Sequence, residues 1–322
     1  MTAPSPRWRE LIEERLDEAV AVLGRVPGVH GLIVGGSVGR GEPWPMSDID
    51  LLPVFTDGIV DLERQQAGLV DWWAASGRAQ NLDMGRLAFT AAEIRAALAS
   101  GPGWLVERFD DVRWFHGIDK AYGGRAANAG DALTTSFAGW IGAMRFDPVV
   151  VAARLDRWRG QARDAFDRAS GAADPAVATW WLRESARALR MVLLESWGER
   201  LGSMGREWTR FERMASRHDG VAVAARIAVL AGADAAGAPD RARTAPAWLR
   251  ERIDLALGAR TAVGEDVSAA QNARDQLAAF TVHVVRHHPH LAGPWTGTPN
   301  PELAAHLAEL GELLEMQPFR PL

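Results

Sequence analysis

The sequence predicts an α+β fold in which a small mixed β-sheet with flanking helices is followed by an all-helical domain. Up to about residue 130, short apolar runs bounded by glycine and proline alternate with helical patterns. From Asp131 onward the strand signals disappear, and Ala, Arg, Leu and Glu recur at helical spacing. We therefore place one domain over residues 1–130 and a helical domain over 131–322, with a further boundary in the Ala- and Gly-rich segment 232–246.

The elements of the first domain are predicted from local patterns. A helix is expected after Ser5-Pro6, because Ser is a good N-cap and Pro suits the first turn. Strands are expected over 29–34 and 48–55, which are short and apolar, and over 79–89, which alternates. The remaining elements predicted here are a helix over 60–75, a helix capped by Thr90 that ends at residue 98, and an edge strand over 112–116.

Apolar residues at 3.6-residue spacing predict the helices of the second domain. They are expected over 149–168, 175–201, 206–217, 221–230, 247–257, 267–285 and 301–315.

Composition excludes several classes of protein. The 322 residues have room for two cores, and the absence of cysteine rules out disulfides, thiolate nucleophiles and Cys-based zinc sites. No apolar run reaches the roughly 20 residues that span a bilayer, and no signal peptide precedes the first helix, so we expect a cytoplasmic protein without a membrane partner. The net charge of −5 disfavours binding to duplex nucleic acid. Lys120 is the sole lysine, so side chains that hold phosphate are expected to be arginines.

The motif that carries chemistry joins the first two strands. The first strand runs into Gly35-Gly36-Ser37, ten residues follow, and Asp48 and Asp50 open the second strand. Glycines let a backbone approach a phosphate closely, and N–H groups at a helix start can bind it. Because strand side chains alternate, Asp48 and Asp50 share one side. Two neighbouring carboxylates repel each other unless a cation lies between them, and Mg²⁺ prefers such oxygen ligands together with substrate phosphates.

The third strand supplies another acid. In the run from Asn81 to Leu87, Leu82 and Met84 share one face and Asp83 takes the other. If this strand lies beside the second, Asp83 completes a cluster of three carboxylates, which is typical of two-metal nucleotidyl transfer.

These residues resemble the signature of the DNA polymerase β-like nucleotidyltransferase superfamily. The layout is similar to that of the antibiotic nucleotidyltransferases, the aminoglycoside and lincosamide adenylyltransferases. The motif resemblance covers Gly35 to about Phe89, and the helical half is similar in architecture only. The resemblance implies transfer of AMP from Mg²⁺-bound ATP to a hydroxyl of a small acceptor, with release of pyrophosphate, in a cleft between the two domains.

The resemblance also implies roles for individual residues. Asp48 and Asp50 would ligate metal, with Asp83 binding a second ion and helping to activate the acceptor hydroxyl. Gly36 and Ser37 would hold the terminal phosphates. Arg40 is a candidate phosphate clamp, or else a solvated loop residue.

The helical domain offers further candidates. Trp181, Glu184 and Glu195 lie close to one helix face together with Ala188 and Met191. This face can receive a sugar-like acceptor, and Glu184 or Glu195 can serve as general base. Alternatively the face is a core stripe whose acids pair with Arg183, Arg187 or Arg190. Arg206 and Arg210 are candidates to contact phosphate with Trp208 stacked on a ring, or else they begin a surface helix.

Four alternatives remain open. Gly35 to Gly39 also fits the G-x-S-x-G elbow of esterases, with Ser37 as nucleophile, although the prolines that follow leave no room for a long helix. His283 and His287 have a spacing that can bind zinc or simply end a helix. A toxin–antitoxin type of nucleotidyltransferase would modify a protein or RNA. A catalytically inactive nucleotide-binding protein would keep the fold without turnover.

Overall fold

The computed structural model describes residues 5–58, 82–83, 87–202, 204–287, 289–291, 293 and 298–316. The chain forms two compact units, which we call the sheet unit, Ala3–Val150, and the helical unit, Val151–Leu322. The border between the two units lies after Val150, whereas the sequence predicts a domain boundary after residue 130. The reason is a helix over 132–144, which contacts the sheet and an earlier helix of the sheet unit.

The sheet unit contains all the strands of the described residues. In chain order its elements are α1 Trp8–Leu23, β1 Val29–Val34, α2 Gly36–Gly39, β2 Ile49–Phe55, β3 Leu82–Asp83, β4 Phe89–Thr90, α3 Ala91–Leu98, α4 Pro102–Val106, α5 Val112–Ala121, β5 Arg125–Ala126 and α6 Ala132–Met144.

The regular elements described after residue 150 are helices. In chain order they are α7 Pro148–Gly171, α8 Pro175–Ser196, α9 Glu207–Arg217, α10 Val221–Leu230, α11 Ala238–Arg243, α12 Ala247–Ala262, α13 Ala269–His287, a 3₁₀ turn Pro289–Leu291 and α14 Leu303–Glu315. Of the helices in the described ranges, none combines the length and the apolar character needed to cross a bilayer.

The strands form one mixed sheet. β1 is antiparallel to β2, with Val34 opposite Leu51, and on its other side it is antiparallel to β5. β2 is parallel to β3 near its start and to β4 at its end. The strand order is β3-β2-β1-β5, with β4 also paired to β2. The predicted α+β class with a small mixed sheet is therefore confirmed.

Helix α1 covers one face of this sheet. Its buried residues Ile12, Leu16, Ala19 and Leu23 recur at helical spacing, as the sequence predicts. They pack with apolar side chains of β1 and β2 in one core cluster. Every residue of β2 is buried, which explains its continuous apolar run and gives its first residues little freedom to move.

Three charged side chains connect α3 to α5. Thr90 forms a capping box with Glu93 at the start of α3, and Asp111 caps α5. Arg113 donates to both carboxylates, at 2.9 Å to Glu93 and 2.6 Å to Asp111. Burial alone would raise the pKa of each acid, but the hydrogen bonds and charge of Arg113 lower the pKa of both below their ordinary values.

The prediction of an edge strand over 112–116 is wrong, since this segment begins α5. Its buried side chains Trp114, Phe115 and Ile118 follow helical spacing, and the cap at Asp111 fixes where the helix begins. A window of five residues is too short to distinguish a strand pattern from a helix pattern.

Other differences are local. The first helix begins at Trp8 with Arg7 at the N-cap position, not at the predicted Ser5 cap. The third strand is represented by the two short pairings β3 and β4, and the helix predicted over 60–75 lies outside the described residues. The segment 232–246, in which the sequence predicts a further boundary, contains the short helix α11. Helices α4 and α6 and strand β5 were not predicted.

Candidate active site

The turn after β1 brings a glycine against a carboxylate. Gly36 has a φ of +59°, which an L side chain rarely adopts. A Cβ at this position would overlap Oδ2 of Asp50 and would lie 2.7 Å from its Cγ. Glycine is therefore required at position 36 by its backbone conformation and by the closeness of Asp50.

Asp50 is held rigidly at the second residue of β2. Its backbone oxygen accepts a hydrogen bond from the N–H of Gly35 at 2.9 Å, which ties the glycine turn to the strand. Its side chain is only 7% exposed. A carboxylate this deeply buried requires a compensating cation.

Lys120 supplies that cation. Its Nζ lies 2.7 Å from Oδ1 of Asp50, and the lysine belongs to the last turn of α5. The backbone of α5 also approaches the turn closely, since a Cβ at Gly35 would lie 2.6 Å from the carbonyl oxygen of Lys120. Sequence reasoning did not assign Lys120 to the site. Its one signal is that it is the sole lysine among 36 basic residues.

The hydroxyl of Ser37 faces the loop between α2 and β2. Ser37 Oγ lies 2.8 Å from Ser47 Oγ in a buried hydrogen bond, and Ser47 accepts from the N–H of Trp44 at 2.9 Å. These bonds fix the loop that ends just before Asp48. The hydrogen-bond partner of Ser37 is a serine, not a histidine, and α2 is a single turn, so this geometry gives no support to the esterase elbow.

The three predicted metal-binding acids are close along the backbone of β2 and β3. Asp48 directly precedes β2 and is half-buried. Asp83 pairs in parallel register with Asp50, so their Cα atoms are direct neighbours across the two strands. In the described part of the chain, no group of three His, Asp or Glu side chains is gathered that could hold a metal ion. The side chain of Asp83 lies outside that description.

Arg40 is covered by the chain around the glycine turn. Its side chain is largely buried and lies against Gly123, where a Cβ would be 2.9 Å from its Cγ. Its Nε is 3.7 Å from the carboxylate of Glu42, which is exposed. The residue therefore packs beside the turn that carries Gly36.

In the helical unit, the predicted face of α8 divides into two environments. Glu184 forms an ion pair with Arg187 and, with Trp181, Ala188 and Met191, lines a pocket of about 480 Å³ between α7 and α8. Glu195 does not line it.

Glu195 is instead buried with a cation. Its side chain and that of Arg154 on α7 are fully buried, and Arg154 Nε donates to Glu195 Oε1 at 2.7 Å. The pairing predicted as the alternative to catalysis is present, but the partner is Arg154 and not an arginine of α8.

Arg206 and Trp208 lie in the interior of the helical unit. Arg206 pairs with Glu265 at 3.4 Å, and burial lowers the pKa of Arg206 to about 10 even though Glu265 raises it. Trp208 is buried, with the guanidinium of Arg190 4.2 Å from its ring centroid. The face of this tryptophan is already covered by a cation.

Comparisons with known proteins add no assignment: no family model, no curated protein and no solved structure matches the chain.

Proposed function

We propose that the chain is an Mg²⁺-dependent nucleotidyltransferase that moves AMP from ATP to a hydroxyl of a small molecule, such as an antibiotic, and releases pyrophosphate. The observation that carries the proposal is the packing of the Gly36 backbone against the buried carboxylate of Asp50, with Asp83 in register on the next strand. A glycine turn whose backbone can approach a phosphate, beside an acidic strand, is what triphosphate binding next to a cation requires.

The donor set fits a divalent cation. Asp50 is a buried carboxylate that already needs positive charge, and Asp48 and Asp83 are its neighbours in sequence and in register. These three acids would hold the ion, which would supply charge compensation for the phosphates of ATP. Lys120 Nζ contacts Oδ1 of Asp50, so we expect the ammonium and the metal ion to compete for this oxygen.

The protein residues have distinct proposed roles in the transfer. The oxygen of the acceptor hydroxyl attacks the α-phosphorus of ATP, the bond to the bridging oxygen breaks, and pyrophosphate leaves. Backbone N–H groups at Gly36 and Ser37 bind the terminal phosphates, and Arg40 is placed beside that turn. Asp83 takes the proton of the hydroxyl. We assign Glu195 a structural role, because its carboxylate is buried against Arg154.

The pocket between α7 and α8 is the proposed acceptor site. Its volume of about 480 Å³ falls in the range typical of small-molecule sites. Trp158, Trp181 and Glu184 are among its lining residues. The guanidinium of Arg168 lies over the Trp181 ring, 4.7 Å from its centroid. Its charged lining residues are three arginines and two acids, Arg168, Arg187, Arg190, Asp164 and Glu184. This lining favours a neutral or anionic hydroxylated acceptor over a polycationic aminoglycoside.

Binding of Mg²⁺-ATP tests the proposed site directly. We expect Mg²⁺-ATP to raise the melting temperature of the wild-type protein and to lose this effect in Asp50→Asn, because the variant lacks the carboxylate that would hold the cation. Asp57→Asn is the matched control, since Asp57 is an exposed residue just beyond the other end of β2. Equal stabilisation of wild type and Asp50→Asn by Mg²⁺-ATP would contradict the proposal.

A further inference from the structure

The helical unit contains a second, strongly basic pocket. Four arginines line it, from three different helices: Arg183 and Arg187 from α8, Arg241 from α11 and Arg274 from α13. Trp180, Gly232 and Thr281 are among its other lining residues, and none of the lining residues is acidic. The pocket shares no residue with the candidate site around Asp50.

Two of the four arginines are neutralised by carboxylates outside the pocket. Arg187 forms an ion pair with Glu184. Arg274 is buried and pairs with Glu212 and with Asp275. Each of these two arginines therefore has a carboxylate partner, although the charge of Arg187 still acts on Arg183.

Arg183 has no such compensation. Among the described residues it has neither an ion-pair partner nor a hydrogen-bond partner. Burial lowers the pKa of the Arg183 guanidinium, and the charges of Arg187 and Arg241 lower it further. A Cβ at Gly232 would lie 2.8 Å from Arg183 Nε, so the guanidinium is packed directly on the backbone of this glycine.

Arg241 is fixed in place by neutral groups. It donates to the carbonyl oxygens of Gly232 at 2.9 Å and of Asp234 at 3.4 Å. Burial lowers the pKa of Arg241, while the charge of Asp234 offsets part of this effect. Hydrogen bonds to carbonyls orient the guanidinium without cancelling its charge.

The geometry points to a binding site for a tetrahedral oxyanion, a phosphate group, held by Arg183 and Arg241. Two half-buried guanidiniums side by side are costly until an anion lies between them. Arginine is the residue that binds phosphate oxygens in pairs. The cavity of about 50 Å³ is several times the roughly 10–15 Å³ that one water needs, and so has room for a single small anion.

The inference does not depend on the proposed catalytic centre or on the proposed acceptor pocket, because Arg183 and Arg241 line neither of them. Arg187 lines both pockets of the helical unit, but it is not one of the two arginines that hold the anion. The same chemistry would accept free inorganic phosphate or the terminal phosphate of a larger molecule. The experiment below distinguishes these two sources by comparing inorganic phosphate with glycerol phosphate.

Thermal unfolding of the full chain at constant ionic strength tests the site. We expect inorganic phosphate to raise the melting temperature of the wild type in a saturable way, beyond the effect of chloride. In Arg183→Gln the apparent dissociation constant for phosphate should rise at least tenfold, because a charge-assisted pair is lost. The matched control is Arg243→Gln, since Arg243 lies on the same helix as Arg241 but is exposed and points to Asp240.

The melting temperature without phosphate distinguishes a ligand-binding role of Arg183 from a structural one. In chloride buffer without phosphate, Arg183→Gln should melt at a higher temperature than the wild type, because the repulsion from Arg187 and Arg241 is relieved. Arg183→Lys, which keeps the charge, should retain phosphate binding in weakened form and provides the test if Arg183→Gln does not fold.

Stabilisation by inorganic phosphate alone would support a free-anion site, and stabilisation by glycerol phosphate as well would support a site for the phosphate of a larger ligand. If phosphate stabilises the wild type no more than chloride does, or if Arg183→Gln and Arg243→Gln respond equally to phosphate, the inference is overturned.

Discussion

Replacing Gly36 by alanine probes the closest contact of the candidate active site. The new methyl group would have to occupy the space taken by Oδ2 of Asp50, and its carbon would lie 2.7 Å from Cγ of that residue. Either the carboxylate or the turn after β1 must move. The backbone of residue 36 would in addition be held at a φ of +59°.

The expected loss of stability has two parts. Holding an alanine in the left-handed region costs about 1–2 kcal/mol. Forcing a methyl group into an occupied site costs about 1–3 kcal/mol more. Replacement of glycine also restricts the unfolded chain, which returns about 0.4–1 kcal/mol. The net destabilisation expected for Gly36→Ala is therefore about 1–5 kcal/mol.

Gly41→Ala is the control that isolates the contact. Gly41 has a φ of +71°, but no atom lies within 4 Å of the position that a Cβ would take. It carries the same cost of backbone conformation and the same gain from the unfolded chain, so the difference between the two variants reports the contact with Asp50. That difference should be about 1–3 kcal/mol.

The measurement should report the sheet unit alone, because two units need not unfold together. Hydrogen exchange of the β1 and β2 amides under native conditions gives the local opening free energy. A double-mutant cycle with Asp50→Ala completes the assay, since removal of the carboxylate should reduce the cost of Gly36→Ala towards that of Gly41→Ala. Equal costs for Gly36→Ala and Gly41→Ala would refute the proposed contact.

Three further perturbations follow from the charged pairs. Glu195→Gln should lower the stability of the helical unit by about 3 kcal/mol, because it breaks the fully buried ion pair with Arg154. Glu184→Gln should cost under about 1 kcal/mol, because Glu184 and its partner Arg187 are half-exposed. Equal melting temperatures for the two variants would contradict this difference. Lys120→Met should melt at a lower temperature than wild type without Mg²⁺ and should gain more from added Mg²⁺, because Asp50 loses its ammonium partner; identical Mg²⁺ shifts would exclude the competition. Arg113→Met should destabilise the sheet unit at pH 7, with the difference from wild type vanishing as the pH falls below about 4. The sign follows from Glu93 and Asp111, whose pKa values Arg113 lowers in the folded state. The stabilisation by this ion pairing is present above the unfolded pKa values of the two acids and is lost as the acids become protonated. Urea unfolding at pH 7 and at low pH measures the difference, and a difference between Arg113→Met and wild type that persists at low pH would contradict the prediction.

Local spacing explains what could be predicted from the sequence. The strand over 29–34 and the helix over 221–230 have the predicted bounds, because each has a clear pattern and a glycine or proline beside it. The predicted acidic cluster was conditional on the third strand lying beside the second, and the register places Asp83 opposite Asp50.

Contacts between distant residues could not be predicted in this way. Lys120 is seventy positions from Asp50, and only the packing of α5 against the glycine turn brings them together. In the same way, Arg183 and Arg241 are nearly sixty positions apart in the sequence and belong to different helices. The basic pocket arises from the packing of α8, α11 and α13 and cannot be predicted from the sequence of any one of these helices.

Transfer of the α-phosphate tests the central proposal most directly. The protein would be incubated with Mg²⁺ and α-labelled ATP against a panel of hydroxylated antibiotics and a cell lysate, with Asp48→Asn as the inactive reference. We expect label on a small molecule with the wild type and none with Asp48→Asn. Label on a protein or RNA would contradict the proposed acceptor class and favour the toxin–antitoxin type, and equal labelling by wild type and Asp48→Asn would contradict the assignment of the site.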